Sequence, residues 1–402
     1  MKIEISDLAV FGGRPAFETA LHVGRPNIGD RARLISRIDD MLDRRWLTNN
    51  GPYVQEFEKQ IADYVGVKHC IAVCNATIGL EIASRALGLN GEVIIPSFTF
   101  IATAHALQWQ EITPVFCDID PATHNIDPNA IETLITPRTT GILGVHVWGR
   151  PCDINALHEI ANRRHLHLMF DAAHAFGCSF KGRMIGNFGD LEVFSFHATK
   201  FLNSFEGGAI TTNSDELAGK IRFMVNFGFA GYDQVAYLGI NGKMTEVCAI
   251  MGLTSLESLT SIIEVNFKNF LHYKEQLGNL PGISLVEYET SEMNNYQYVI
   301  IEVDEGAGGA ARDLLVRILH AENILARRYF YPGCHQMEPY KSYFPHASLL
   351  LQETERLSLR VLSLPTGTAV GLKEIEEVCQ IIRFVIEHES EIRDRMGGRH
   401  LL

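Results

Sequence analysis

The chain has 402 residues, of which 46% are hydrophobic and 21% are charged, a globular composition with enough apolar material for two or more domains. Its formal net charge of −13 argues against non-specific nucleic-acid binding, which needs a basic surface. A local basic pocket for an anionic small molecule is compatible with that charge.

The eight cysteines form no Cys-x-x-Cys pair, and no cysteine–histidine cluster has the spacing of a zinc site. We therefore expect reduced thiols, no metal centre and a cytoplasmic protein. The first residues lack the basic segment and long apolar run of a signal peptide, and no apolar run reaches the length of a membrane span. The sequence thus predicts no membrane partner.

The turn signal Asn49-Asn50-Gly51-Pro52 precedes a predicted helix, on which Phe57, Ile61 and Val65 recur at helical spacing. Beyond it, short apolar runs alternate with amphipathic segments, as in strands buried on both faces of a parallel sheet. The predicted strands are residues 70–74, 93–96, 114–117, 141–147, 166–171, 193–196 and 209–212. Repeated strand–helix units indicate an α/β architecture with right-handed crossovers.

The pattern changes after residue 265. Helical segments at 267–280, 310–322 and 373–388 surround fewer strands, among them 298–303. We predict a large α/β domain over residues 1–265, including the N-terminal segment, and a smaller C-terminal α+β domain over residues 266–402.

Three small or polar residues, Asn75-Ala76-Thr77, lie between the first strand of the alternating block and the helix after it. Such a junction exposes backbone N–H groups and a helix N-terminus, which bind phosphate. A threonine at the start of a helix is also an ordinary N-terminal cap. Ala76 and Thr77 are therefore candidate phosphate-binding residues only in combination with a wider site.

Asp171 ends the predicted strand at 166–171. A carboxylate at the C-terminal end of such a strand points into the crevice where α/β proteins bind ligands, although an aspartate there also caps helices. His174 follows three residues later. It fits either a contact with the ligand or an ordinary core or surface histidine.

Lys200 follows the apolar run 193–196 and precedes Gly207 and Gly208, which allow a tight backbone path before the next strand. This position is not typical of an ordinary solvent-exposed lysine. Burial would lower the pKa of its amine and favour imine formation. Ser195 alternates with the flanking phenylalanines and so lies on the crevice face, where it suits a phosphate contact.

Lys200 and Asp171 together are what a pyridoxal phosphate (PLP) site requires. The amine forms a Schiff base with the cofactor aldehyde, and the carboxylate keeps the pyridine nitrogen protonated so that the ring can take up electrons. An aromatic face over that ring is a further need of such sites. Phe100 is the candidate, although spacing alone does not choose between it and Phe98.

Taken together, these segments resemble the nucleotide-sugar aminotransferases of the DegT/StrS family, a branch of the fold-type I PLP enzymes. The resemblance spans nearly the whole chain. It implies a mostly parallel seven-stranded sheet sandwiched by helices, a smaller C-terminal domain, and a homodimer with active sites at the subunit interface. The matching motifs are Asn49-Asn50-Gly51-Pro52, Pro96-Ser97-Phe98-Thr99-Phe100-Ile101-Ala102-Thr103-Ala104, Val145-His146-Val147-Trp148-Gly149, Phe170-Asp171-Ala172-Ala173-His174-Ala175, Phe194-Ser195-Phe196-His197-Ala198-Thr199-Lys200 and Leu362-Ser363-Leu364-Pro365.

The resemblance implies a role for each matched position. Lys200 would be the Schiff-base lysine and Asp171 the partner of the pyridinium nitrogen. His174 would lie near the ring oxygen, and Phe100 would stack on the ring. The implied phosphate-binding residues are Ala76, Thr77, Ser195 and, from the other subunit, Asn241. Many relatives have an arginine where Lys243 stands and Ser-Gly-Thr where this chain has Asn75-Ala76-Thr77.

Within the family, the chain looks most like the enzymes that aminate C4 of dTDP-4-keto-6-deoxyglucose, with L-glutamate as the amino donor. The supporting segments are 144–153, 205–208 and 327–335. Arginine suits an anionic diphosphate, although both arginines of the last segment could equally remain solvated surface charge. The candidate substrate-binding residues are Arg327, Arg328, Tyr329 and His335.

Other functions stay open at this level. A 3-keto sugar or a UDP- or GDP-linked sugar could be the substrate of the same aminotransferase chemistry. PLP-dependent sugar dehydratases of the family have histidine at the lysine position, so Lys200 argues against that activity. Retention of both Lys200 and Asp171 argues against a non-catalytic regulatory homologue.

Overall fold

A computed structural model describes residues 2–308 and 310–397. Within these residues the chain forms short and medium strands that are spread over its whole length. The strands are β1 (Leu21–His22), β2 (His69–Val73), β3 (Glu92–Pro96), β4 (Thr113–Cys117), β5 (Thr139–Val145), β6 (His167–Asp171), β7 (Ser179–Phe180), β8 (Arg183–Met184), β9 (Leu191–Ser195), β10 (Gly208–Thr212), β11 (Phe229–Gly231), β12 (Gln234–Val235), β13 (Ile283–Leu285), β14 (Val299–Val303), β15 (Ile324–Leu325) and β16 (Val361–Leu364).

The helices alternate with the strands in the first two thirds of the chain. They are α1 (Arg31–Arg44), α2 (Pro52–Val65), α3 (Ala76–Ala86), α4 (Ile101–Gln108), α5 (Pro128–Leu134), α6 (Ile154–Arg164), α7 (Asp215–Val225), α8 (Glu246–Glu257), α9 (Leu259–Leu277), α10 (Arg312–Ala321), α11 (Tyr340–Tyr343), α12 (Gln352–Ser358), α13 (Leu372–Glu387) and α14 (Glu389–Arg395).

The predicted seven-stranded, mostly parallel sheet is confirmed. Its strand order is β2-β10-β9-β6-β5-β3-β4, and only β10 runs antiparallel to its neighbours. Because β5, β6 and β9 are parallel, their carboxyl ends meet at one edge. There Asp171 pairs with Val145 on one side and Val193 on the other.

Helices cover both faces of this sheet, as the fold class requires. Along β3, Ile94 packs into one hydrophobic cluster and Ile95 into the other, because successive side chains alternate between faces. Leu80 of α3 belongs to the cluster of Ile95, and Phe57 of α2 belongs to that of Ile94. Each face is therefore shielded from water, and ligands can approach only at the strand ends.

A second sheet, with the antiparallel order β13-β14-β16, forms a separate core with α9, α10 and α13. Ile5 and Leu8 of the N-terminal segment pack into this core, and β1 pairs with β15. Residue 265 falls inside α9, a single helix of 19 residues. The division at residues 265 and 266 stays a prediction, and residues 398–402 of the second domain lie outside the described residues.

No single helix in residues 2–308 and 310–397 combines the length and apolar composition needed to cross a membrane. Helices α8 and α9 meet that test only as a pair, with a bend of 61° between them.

Candidate active site

Asp171 lies at the carboxyl edge of the large sheet, where burial and nearby hydrogen-bond donors shift its pKa in opposite directions. The carboxylate is buried. Its Oδ2 accepts a hydrogen bond from Thr103 Oγ1 at 2.8 Å, and its Oδ1 accepts one from the backbone N–H of Ala173 at 3.1 Å. Burial raises the pKa of Asp171, whereas these donors and the nearby Lys200 charge lower it.

Lys200 lies in the loop between β9 and β10, close enough to Asp171 for the two charges to interact. Its Nζ donates to the hydroxyl of Tyr298 over 3.4 Å. Burial lowers the pKa of Lys200 from 10.5 to about 8, and the charge of Asp171 opposes that shift. The pair that the sequence singles out is therefore brought together, with an amine that loses its proton around pH 8.

His174 is a buried, neutral imidazole beside this pair. Its Nδ1 lies 3.1 Å from the backbone nitrogen of Trp148. Because that N–H donates, Nδ1 accepts and the ring proton lies on Nε2. Burial, followed by the charge of Lys200, lowers the pKa of His174 well below its usual value. Tyr298 and Phe330 pack against the ring, with centroids at 4.7 and 5.7 Å.

The predicted phosphate-binding residues meet where β9 and β10 face the start of α3. Ala76 and Thr77 form the first turn of α3, and Asn75 caps it by accepting from the backbone N–H of Ile78 at 2.9 Å. Ser195 ends β9, directly opposite Gly208. A side chain at Gly208 would bring its Cβ within 3.0 Å of the Ala76 nitrogen. The glycine thus leaves room at a helix N-terminus, which fits a phosphate group.

Asn241 lies on an exposed segment near the same junction. The carbonyl of the next residue, Gly242, accepts from the backbone N–H of Cys74 at 2.7 Å. A contact from Asn241 to the cofactor of a second subunit stays a prediction.

The structure separates the two candidate stacking residues. Phe98 is 0% exposed and packs edge-on against Trp148 and Phe330. Phe100 is 56% exposed and stands directly before the first residue of α4. Phe98 is a core residue, so Phe100 alone is free to meet a ligand.

A cavity of about 790 Å³ opens beside Phe100. Arg317, Arg327, Arg328 and Tyr329 lie on its wall. The Arg328 guanidinium is 3.0 Å from Asp313 and lies over the ring of Tyr331, while that of Arg327 lies over Tyr329. The cavity lining does not include Lys200 or Asp171, but Thr99 on the lining connects it to Asp171 through Thr103.

His335 is not on the lining of this cavity, and its contact with substrate stays a prediction. The side chain is buried. Its Nδ1 lies 2.7 Å from Ser97 Oγ and its Nε2 lies 2.9 Å from Glu355 Oε1. Because both ring nitrogens are engaged inside the fold, His335 instead ties the loop that carries Phe100 to the C-terminal part of the chain.

Sequence reasoning missed three residues of the site. Thr103 bonds Asp171, Tyr298 contacts Lys200, and the backbone of Trp148 fixes His174. Thr103 and Trp148 stand inside matched motifs, but nothing in those motifs indicates which neighbour they contact. Tyr298 comes from the second sheet region, 98 positions along the chain from Lys200, and carries no local signal.

A lysine and a carboxylate at the carboxyl edge of a seven-stranded α/β sheet define a fold-type I PLP enzyme. The chain belongs to the DegT/DnrJ/EryC1/StrS aminotransferase family, whose sequence profile matches residues 29–383. Enzymes of this family are PLP-dependent, and the protein is a sugar aminotransferase that acts on a nucleotide-linked sugar.

Two relatives are named for sugars linked to different nucleotides. The dTDP-4-amino-4,6-dideoxy-D-glucose transaminase of Shigella dysenteriae is 37% identical over 91% of this chain and 99% of its own length. The GDP-perosamine synthase of Caulobacter vibrioides is 35% identical over 84% of this chain and 91% of its own length. A solved structure of DesI in the presence of its TDP-sugar product is 50% identical with a TM-score of 0.94, over 98% of this chain and 100% of that chain.

Proposed function

We propose that the protein transfers the amino group of L-glutamate to C4 of a dTDP-4-keto-6-deoxyhexose, giving dTDP-4-amino-4,6-dideoxyglucose. The observation that carries this proposal is the 50% identity to DesI, whose solved structure contains a TDP-sugar product. The name of the Shigella relative supports the same sugar and nucleotide.

A GDP-linked 4-keto sugar is the second candidate. The Caulobacter relative is nearly as similar to this chain as the Shigella relative, at 35% against 37% identity. The wall of the large cavity has three arginines and one aspartate, a formal charge of +2, which suits the diphosphate of either nucleotide. We propose Arg327, Arg328 and Tyr329 as substrate-binding residues in this cavity.

When bound, PLP supplies an electron sink for the carbon that carries the transferred nitrogen. Lys200 Nζ would hold the cofactor covalently, remove the Cα proton of the amino donor, and deliver a proton to C4 of the sugar. Its pKa of about 8 suits a group that both takes up and releases protons near neutral pH. The Tyr298 hydroxyl, 3.4 Å from Nζ, would orient the amine.

The remaining residues would bind and orient the cofactor. Asp171 would accept a hydrogen bond from the protonated pyridine nitrogen, and the Nε2–H of His174 would donate to the ring oxygen. Phe100 would cover one face of the ring. The phosphate would be held by the first N–H groups of α3 and a hydroxyl, from Ala76, Thr77 and Ser195.

We further propose a homodimer in which Asn241 completes the phosphate site of the second subunit. The hairpin of β11 and β12 and the residues between it and Asn241 expose large apolar side chains. They include Phe229, Tyr232, Val235 and Leu238. Contiguous exposed apolar surface of this kind is typical of a protein–protein contact.

The substrate is tested by incubating the purified protein with PLP, L-glutamate and a matched set of 4-keto and 3-keto sugars linked to dTDP, UDP or GDP. We expect the dTDP-linked 4-keto-6-deoxy sugar to give the highest kcat/KM, with the new amine at C4 by mass and NMR. A higher kcat/KM for the GDP-linked sugar would replace the dTDP proposal by the second candidate, and amination at C3 would refute the proposed position.

Covalent uptake of PLP by the cofactor-free protein is expected to accelerate with pH around a midpoint of about 8. Only the neutral amine attacks an aldehyde, so the reactive fraction of Lys200 grows as pH rises through its lowered pKa. Stopped-flow absorbance at a series of pH values measures the midpoint. A midpoint near 10.5, the value of an ordinary lysine, would contradict a reactive amine whose pKa is lowered by its surroundings.

A further inference from the structure

Two threonine hydroxyls link the carboxylate of Asp171 to the large cavity. Thr103 stands in the first turn of α4, is 0% exposed, and places Oγ1 at 2.8 Å from Asp171 Oδ2. Thr99 Oγ1 lies 3.0 Å from Thr103 Oγ1, and Thr99 also lines the cavity beside Phe100. The three polar groups thus form a buried, continuous hydrogen-bonded row.

The chemistry of these groups fixes the direction of the row. An ionised carboxylate only accepts, so the single hydroxyl proton of Thr103 is donated to Asp171. Thr103 Oγ1 then accepts from Thr99, whose own proton is donated toward Thr103. Both O–H dipoles point at the carboxylate, and each strengthens the other in a buried setting.

Asp171 depends on such donors because its surroundings disfavour charge. Burial is the largest influence on its pKa and raises it, and Thr103 is the largest opposing influence. The other donor, the backbone N–H of Ala173, lies on the second oxygen at 3.1 Å. A threonine hydroxyl within a helix commonly bonds to the carbonyl four residues earlier, whereas that of Thr103 is directed to the carboxylate.

We propose that Thr103, oriented by Thr99, is a positioning residue that keeps Asp171 ionised and aligned to receive the protonated pyridine nitrogen of PLP. This role rests on the proposed function of Asp171. Without the Thr103 hydroxyl, the carboxylate takes up a proton at higher pH. The protonated pyridine nitrogen then loses its charged partner, and the cofactor binds more weakly in the acidic part of the pH range.

The test compares Thr103→Val, which removes the hydroxyl at nearly constant volume, with Thr103→Ser, which keeps it. PLP dissociation constants are measured for the cofactor-free proteins across the neutral pH range, together with kcat and KM. For Thr103→Val we expect PLP affinity to fall ~10-fold or more at the acidic end and to approach wild type as pH rises, the size expected for one hydrogen bond to a charged group. We also expect kcat to fall about tenfold with little change in the KM of the sugar, and Thr103→Ser to restore both.

Thr99→Val should shift the pH dependence in the same direction but less, and it serves if Thr103→Val does not fold. The control is Thr211→Val. Thr211 lies in β10 of the large sheet, and its buried hydroxyl is 3.5 Å from a backbone carbonyl. Its removal should leave the pH dependence of PLP binding unchanged. An unshifted pH dependence in both Thr103→Val and Thr99→Val, or a Thr103→Ser protein as impaired as Thr103→Val, would overturn the role of Thr103. A wild-type protein that binds no PLP would overturn the proposed function itself.

Discussion

Lys200→Ala is expected to abolish covalent attachment of PLP and to lower kcat by ~10³-fold or more, since a positioned acid–base group alone contributes ~10²- to 10⁴-fold. Lys200 is the lysine whose charge acts on Asp171 in the described part of the chain, so we expect no other side chain to replace Nζ at the site. The fold should persist, because the lysine lies in a loop and not in a strand. Single-turnover rates with L-glutamate and with the keto sugar, measured separately, should both fall.

Lys68→Ala is the matched control. Lys68 is an exposed lysine that pairs with Asp215, and its removal should leave both half-reactions unchanged. Added methylamine should restore part of the rate of Lys200→Ala, because a free amine can take over proton transfer when the tethered one is missing. A Lys200→Ala protein with near wild-type turnover would refute the proposed role.

Asp171→Asn is expected to lower kcat by about 10²- to 10³-fold, the range seen when a preorganised electrostatic group is lost from an active site. The amide keeps the shape of the carboxylate but has no charge to hold the pyridine nitrogen protonated. Because the charge of Asp171 raises the pKa of Lys200, the substitution should also move the midpoint of covalent PLP uptake below about 8. The two effects are read by steady-state kinetics and by the pH dependence of absorbance.

Asp190→Asn provides the comparison for Asp171→Asn. Asp190 is a surface carboxylate that bonds His167 at the amino end of the same strand, β6, so its loss should alter neither kcat nor the uptake midpoint. Unchanged kinetics in Asp171→Asn would contradict the role of the carboxylate. A midpoint that moved above about 8 would contradict the electrostatic coupling between the two residues.

The central sheet was predictable because its apolar runs are local signals. The run at 70–74 corresponds to β2 and that at 166–171 to β6, and Asp171 ends its strand as expected. The run at 141–147 extends too far, because Val147 begins a short 3-10 turn after β5. The packing of Ile5 into the core of the second sheet could not be predicted from the hydrophobic spacing of the sequence, because it depends on long-range contacts.

The site could be predicted only where a residue type and its local sequence context indicate the chemistry. Lys200 and Asp171 carry such a signal. A charged amine and a charged acid placed just after apolar strands cost free energy unless the two groups act together. The choice of Phe100 over Phe98 needed the course of the backbone, which buries one ring and exposes the other. The hydrogen bonds of His335 to Ser97 and Glu355 could not be predicted, because they join segments that are far apart in sequence.

Locating the modified residue after borohydride reduction decides whether Lys200 is the amine that holds the cofactor. The PLP-loaded protein is reduced, digested and analysed by mass spectrometry, in parallel with Lys200→Ala. We predict a single phosphopyridoxyl group on the peptide that contains Lys200, and none on the variant. A modified lysine elsewhere in an active protein, with Lys200 unmodified, would contradict the assignment.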